Sequence, residues 1–354
     1  MSMETAQWLN TQTLIGNTAQ RGNAWHYRAE LQGAESNHYE GAIPVADVQR
    51  RLFNWHAVTV PVQALLPATT EDFTTMDAEG KLVKAVDIPN MVAIARSDNG
   101  FIFPRTFSSG YRAHQYDEWL LKELSNILGD TLAISSAGLL KNGAIAWVEV
   151  SVPETIHDER TGFAYRPNIL AGTSFDGSLA TTYGRTVTAT VCDNTMSAAL
   201  GQMGEQQKKV RHSKYSSTKG VREALSIVHE TGDEFSAQLH ALTERTVTDR
   251  QWFSFLDALM PLEKDGEPLK GAPLTRTERQ RDEIQNLWRH DNRVAPWANT
   301  EFGVIQAVNT WTHHYAEVRN TGRTERNMER AIKGKVHELD SQARTLIESI
   351  LSNA

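Results

Sequence analysis

The sequence predicts an α+β fold: a mostly antiparallel sheet with helices packed on one face, followed by an all-helical C-terminal region. Three observations predict it. Residues 91–95, 101–107, 144–152 and 179–192 have the two-residue periodicity or short apolar runs of strands, and turn-forming pairs separate them. A helical stripe of Trp119, Leu120, Leu124, Ile127 and Leu128 lies within this region, predicting a helix over 115–128 packed across the sheet. Beyond residue 221 apolar residues recur at three- and four-residue steps, and no strand pattern is convincing. The expected organisation is a mobile tail over 1–20, an α+β core over 21–222, and a helical region over 223–354 with a loop and possible hinge at 261–273.

Taken in order, Pro44 opens a helix with Val45, Val48, Leu52 and Phe53 on one side, and residues 55–60 leave it as a strand. Residues 67–80, rich in Thr, Asp and Glu, read as an exposed loop. Ser97-Asp98-Asn99-Gly100 joins two strands, and Asn142-Gly143 joins 132–140 to 144–152, because these residues tolerate turn conformations. Asp176-Gly177 gives the same signal ahead of the longest alternating strand. There Leu179, Tyr183, Val187, Ala189 and Val191 share one face, and Thr182, Thr186, Thr188 and Thr190 the other. Arg185 has the apolar parity, so it must meet an acid or reach the sheet edge. Asp193, Asn194 and Thr195 then offer side-chain oxygens to cap a helix.

Helices are expected over 221–245, 249–260, 276–290, 300–319 and 324–352. Thr248 with Gln251, and Thr275 with Glu278, have capping-box spacing. Met328, Ile332, Val336, Leu339, Ala343, Leu346 and Ile350 form the stripe of the last helix, read as intrachain core with an oligomer seam as the alternative.

Composition narrows the function classes. The 354 residues suffice for a sizeable core, and 40% hydrophobic with 22% charged residues describe an ordinary globular protein. The single Cys192 excludes an intrachain disulfide. Residues 1–17 have neither the cationic start nor the apolar run of a signal peptide, and no stretch is long and apolar enough for a membrane helix. No membrane partner is therefore expected. No phosphate loop, GxGxxG, HExxH or CxxC motif is present, and adjacent His313 and His314 diverge on a helix, so the expectation is no catalytic residues, no metal and no cofactor.

One segment departs from the net charge of −7. Lys208, Lys209, Arg211, Lys214, Lys219 and Arg222 are six cations, and no acid lies between Lys208 and Arg222. Tyr215 among them is a ring on which a base could stack, and the hydroxyl side chains nearby can donate to phosphates. These seven residues are the candidate nucleic-acid-binding set. Two further groups, Arg276 to Arg293 and Arg319 to Lys335, are cationic with aromatic or acidic residues interspersed.

The same region carries a family resemblance. Phe175-Asp176-Gly177-Ser178, then Arg185 through Leu200, then Val210-Arg211-His212-Ser213 resemble the signature of the phage/plasmid-like protein family, domain-of-unknown-function family 932. Trp25-His26 resembles that family's N-terminal motif, although Tyr27-Arg28-Ala29 departs from its glycine-containing continuation. The resemblance implies a phage, prophage or plasmid origin and a cytoplasmic setting in a bacterial host. The coarse order of helix, hairpins, helix, cationic segment and helices is also similar to RecT/Redβ-like single-strand annealing proteins. Together these lead to the expectation of a single-stranded nucleic-acid binding protein, serving annealing or recombination, that forms a homo-oligomeric ring or filament. The alternatives are a metal-dependent nuclease or phosphoesterase using Asp176, Asp193 and His212, or a phage protein that binds a host protein.

Overall fold

The computed structural model describes Gln7, residues 10–23, 27–72, 74–125, Leu128, 132–151, 155–189, 194–197, 208–210, 228–318, 323–333 and 335–353. Turn chemistry builds the first half. Lys141, Asn142 and Gly143 take positive φ between β6 (Ala133–Leu140) and β7 (Ile145–Ser151), the conformation that favours Asn and Gly. The 97–100 turn joins β4 (Leu82–Arg96) to β5 (Ile102–Ser108).

These hairpins do not belong to one sheet. β4 and β5 pair with β2 (Ala57–Pro67) and β3 (Thr75–Met76) in a four-stranded sheet. The other sheet is eight-stranded, in the order β1 (Thr13–Ile15), β6, β7, β9 (Ala164–Ser174), β10 (Thr181–Ala189), β11 (Asn194–Ser197). β8 (Ile156–His157) joins β9, and β12 (Lys208–Val210) joins β10. All ladders in both sheets are antiparallel. The single-sheet expectation fails because periodicity fixes which face a strand buries, not which strand it pairs with.

Other expectations are corrected. Asn194 and Thr195 do not cap a helix: they lie in β11, opposite Ala189 and Thr188. Asp176-Gly177 sits in a wider connection than a two-residue turn, where Asp176 Oδ1 accepts from the Ser178 amide at 2.8 Å and Gly177 has φ 66°. The segment over 115–128 begins as a π-helical stretch, Asp117–Lys122, before Glu123–Ser125. β2 runs to Pro67, the first residue of the region read as loop, and β3 lies within that region.

The large sheet buries both faces. On one, Leu14, Ala137, Leu139, Ala146, Val148, Val150, Ile169, Ala171 and Tyr183 pack against α1 (Val45–Arg51), the 117–125 segment and the near end of the small sheet. Trp55, Phe103, Tyr116 and Phe175 form its aromatic centre, with the Tyr116 and Phe175 rings 4.0 Å apart. Farther along, Tyr165 and Val187 meet Phe235, Leu239 and Leu242 of α2 (Val228–Glu244). Arg185 finds its acid there: it donates to Thr231 Oγ1 at 3.2 Å and lies 3.5 Å from Glu234. Asp158 staples the β8–β9 turn to the same helix, accepting from Thr161, Ser236 and His240. Burial alone would raise its carboxyl, but the Thr161, Ser236 and His240 hydrogen bonds outweigh that and hold it at about 2.

The C-terminal region is helical, apart from the small hairpin β13 (Glu263–Lys264) and β14 (Glu267–Pro268) inside the expected loop. Its helices are α2, α3 (Asp249–Leu259), α4 (Ala272–His290), α5 (Glu301–His314), α6 (Arg323–Ile332) and α7 (Lys335–Ser352). Thr248 and Gln251 form the expected capping box of α3. Thr275 does not cap α4, which starts three residues earlier at Ala272, after Gly271. The long last helix is two helices, α6 and α7. Of the stripe on the second, Ala343 lies in an intrachain core with Trp252, Trp288, Val304 and Val308, and Leu346 and Ile350 pack against it; Ile347, outside the stripe, is buried there too.

α5 runs through the middle of this region and is buried almost all round. His313, 5% exposed, holds its ring against the Asn309 carbonyl at 2.9 Å, and burial pushes its pKa down to about 4 from 6.5. Between those two values the unfolded chain binds a proton that the folded chain excludes, so stability falls as pH drops from 6.5 to 4. The slope approaches about 1.4 kcal/mol per pH unit for one such group. Urea titrations at pH 7 and pH 5 should show this loss, and His313→Asn should flatten it.

Candidate functional site

The second face of the large sheet differs from its apolar side. Register places Ser136, Gly138, Glu149, Ser151, Trp147, Arg166, Asn168, Gly172, Thr182, Thr186 and Thr188 on it. Glu149, Ser151, Arg166, Asn168, Thr182 and Thr186 are nevertheless buried. Burying such groups is costly unless each meets a partner, so their concentration on one face calls for a role.

Part of the face is internally satisfied. Ser135 donates to Glu149 Oε1 at 2.8 Å, Asn168 Nδ2 to Thr188 Oγ1 at 2.7 Å, and Arg166 Nε to Thr155 Oγ1 at 3.0 Å. Trp147 lies between two glycines in register, Gly138 and Gly172. A Cβ at Gly138 would fall 2.1 Å from the indole ring, so the missing side chain is what lets the ring lie across the neighbouring strand. Met328 of α6 packs against the group formed by Leu140, Ile145, Trp147, Leu170 and Leu179. Lys141 holds α6 through Glu329 at 2.6 Å, and that carboxyl lies below its ordinary value: burial would raise it, but hydrogen bonds from Lys141 and Lys333 prevail.

The cationic segment meets this sheet through β12. Val210, Lys209 and Lys208 stand opposite Thr181, Thr182 and Tyr183. Arg211, Lys214, Tyr215, Lys219 and Arg222 lie outside the described residues, as do Asp193 and His212. Asp176 is described and serves its turn. Among the described residues no three His, Cys, Asp or Glu side chains gather as a metal site would require. No helix among them is long and apolar enough to cross a membrane.

The two other cationic groups are largely engaged within the chain. Arg279 pairs with Glu317, Arg281 with Asp257, Arg289 with Asp249 and Arg293 with Asp291. Arg323 and Arg326 donate to carbonyls at the C-terminal end of α5, Ala316 and Thr312 among them, where cations complement the helix dipole. Burial, reinforced by Arg330 and Arg323, lowers Arg326 to about 10.

Sequence reasoning missed Glu149, Ser151, Arg166 and Asn168. The signal was present, since Glu149 and Ser151 alternate with Val148 and Val150, but polar parity on a strand ordinarily marks a solvated face.

A family model described as Domain of unknown function (DUF932) matches residues 105–333, from within β5 to just beyond α6. No curated protein and no solved structure gives a significant match. The matched span includes the polar face, β12 and well over half of the chain, and the chain therefore belongs to the family described as Domain of unknown function (DUF932).

Proposed function

We propose that the protein binds single-stranded nucleic acid, with the segment from Lys208 to Arg222 as its phosphate-contacting element. The observation that carries this reading is the pairing of β12 with β10, which ties the start of an acid-free cationic run to a rigid sheet. A solvated charge run needs no such anchor. The engagement of the later arginines with acids and helix ends supports it too, because those charges are already balanced within the fold. The reading extends to annealing or recombination, to a ring or filament of identical chains, and to a phage or plasmid setting in a bacterial cytoplasm.

Backbone binding of this kind is salt-dependent, with a slope of log K against log salt of about −0.7 per phosphate neutralised on a single strand. Replacing Lys208, Lys209 and Arg211 together by Ala should weaken binding of a labelled oligonucleotide and flatten the slope by up to about 2 units. Tyr215→Ala should lower affinity with little change in slope, since stacking releases no condensed counterion. Fluorescence anisotropy across a salt series measures both. Unchanged affinity and slope in the triple variant would remove the segment from the site, and absence of binding by the parent chain at low salt would end the nucleic-acid reading.

A further inference from the structure

We propose that a groove on the outer face of the small sheet takes one base of a single nucleic-acid strand, with Arg105 at its margin holding the adjoining phosphate. The proposal rests on the nucleic-acid reading above and adds a base-contacting surface to it.

This face is apolar where a solvated sheet is ordinarily polar. Ile94 points into the main core, so strand alternation turns its neighbours Ala93 and Ala95 outward. Two cross-strand rows result. Val60 stands opposite Ala93 and Ala93 opposite Thr106; Val58 stands opposite Ala95 and Ala95 opposite Ile102. Each row has a small residue at its centre, and Val58 and Ile102 are 40% and 56% exposed. Pairing is interrupted on both sides of β4, between Pro61 and Gln63 and between Ala93 and Ala95, and such irregularities bend strands. A groove of about 610 Å³ lies there, within the range of roughly 300–1,000 Å³ typical of small-ligand sites. Val60, Ile102 and Pro104 line it, with Gln63, Thr106 and Arg105 as its polar groups. Val60 and Thr106 are two strand spacings apart, about 9–10 Å, which leaves room for a base ring to lie over Ala93.

Charge selects the occupant. Arg105 is exposed, and its Nη1 donates to the Gly177 carbonyl at 3.0 Å, which steadies the side chain without neutralising it. Among the described residues no carboxylate pairs with it, and its Nε and Nη2 donors are open to a phosphate. The Asp176 carboxylate, one residue from that carbonyl, accepts from the Ser178 amide instead. From Asn99 to Tyr116 the chain carries Arg105 and Arg112 and no acid. Across the groove, on the β2 side, Gln63 donates to Asp87 at 2.8 Å, so its amide oxygen is left to accept from a base. The site is continuous with the cationic segment too. Arg105 rests on the connection into β10, whose first residue, Thr181, pairs with Val210 at the end of β12.

The test uses the full chain and a labelled oligothymidylate, with binding followed across a salt series. Ala93→Leu fills the floor of the groove and should weaken binding about tenfold with the salt slope unchanged, since a base contact is lost and no phosphate contact. Arg105→Gln should flatten the slope of log K against log salt by about 0.7, and Arg105→Lys, which keeps the charge, should not. Circular dichroism confirms that each variant is folded. The parent supplies a measurement that needs no variant: a thiothymidine-substituted oligonucleotide, activated by near-ultraviolet light, should form adducts that map by mass spectrometry to the residues lining the groove. Adducts that map only elsewhere, or parent-like affinity in folded Ala93→Leu, would overturn the groove and leave the nucleic-acid reading standing. Losses in the groove variants beside an unaffected Lys208/Lys209/Arg211 variant would keep the groove and remove the cationic segment. No oligonucleotide binding by the parent at low salt would end both.

Discussion

Trp288→Ala should destabilise the protein by about 3–5 kcal/mol, the range for deleting a large buried aromatic side chain. Trp288 is 0% exposed, and its ring stacks on Trp252 with centroids 4.2 Å apart and planes 6° from parallel. Its indole N–H has no acceptor among the described residues, so the substitution removes packing there without breaking a hydrogen bond. The cavity would open where α3, α4, α5 and α7 meet, and tightly packed helices relax into such a space only partly. Urea unfolding followed by far-UV circular dichroism measures the loss. Trp288→Phe, which keeps a ring against Trp252, should lose distinctly less. Equal losses in the two variants would show that ring stacking and volume are not what hold this core.

Gly303→Ala should also destabilise, against the usual trend. Alanine in a helix is ordinarily more stable than glycine by roughly 0.5–1 kcal/mol. Gly303 lies in the first turn of α5, where a Cβ would fall 2.0 Å from the Trp297 carbonyl oxygen and 2.7 Å from its carbon. Those are backbone atoms and cannot swing aside. The turn at Ala295–Trp297 would have to move off the helix, at a cost typical of overpacking, about 1–3 kcal/mol or more. Gly232 in α2 provides the contrast. Its Cβ would meet the Ile156 Cδ1 atom at 3.2 Å, the end of a flexible side chain, so Gly232→Ala should be near neutral or stabilising. Melting temperatures of the two variants decide the matter, and a stabilised Gly303→Ala would refute the steric account.

Local chemistry was readable in the sequence where one principle dominated. Asn142-Gly143 needed positive φ and takes it, Thr248 and Gln251 close their capping box, and Arg185 finds the acid its parity demanded. Readings failed where one residue type serves two structures. Asn194 and Thr195 can cap a helix or sit in a strand, and pairing with β10 decides for the strand. The division into two sheets depends on pairings between distant segments, such as β7 with β9, which no local pattern encodes. Of the candidate site, the cationic segment was legible as composition. The polar face was not, because alternation of Val with Glu and Ser resembles a strand half in water, and only assembly shows both sides covered.

The position of α7 bears on how the protein can be divided. The family match ends at residue 333, just before this helix begins. Yet Ala343 and Ile347, 1% and 0% exposed, close the core around Trp288 and Val304. At the other end the match starts inside β5, leaving out β1, β2 and β4, whose Leu14, Ala57 and Ile94 belong to the main core. In this chain the matched span is thus not a unit that could stand by itself. A fragment of this chain cut to 105–333 would lose the side chains that close both cores, so the flanking segments are part of the fold.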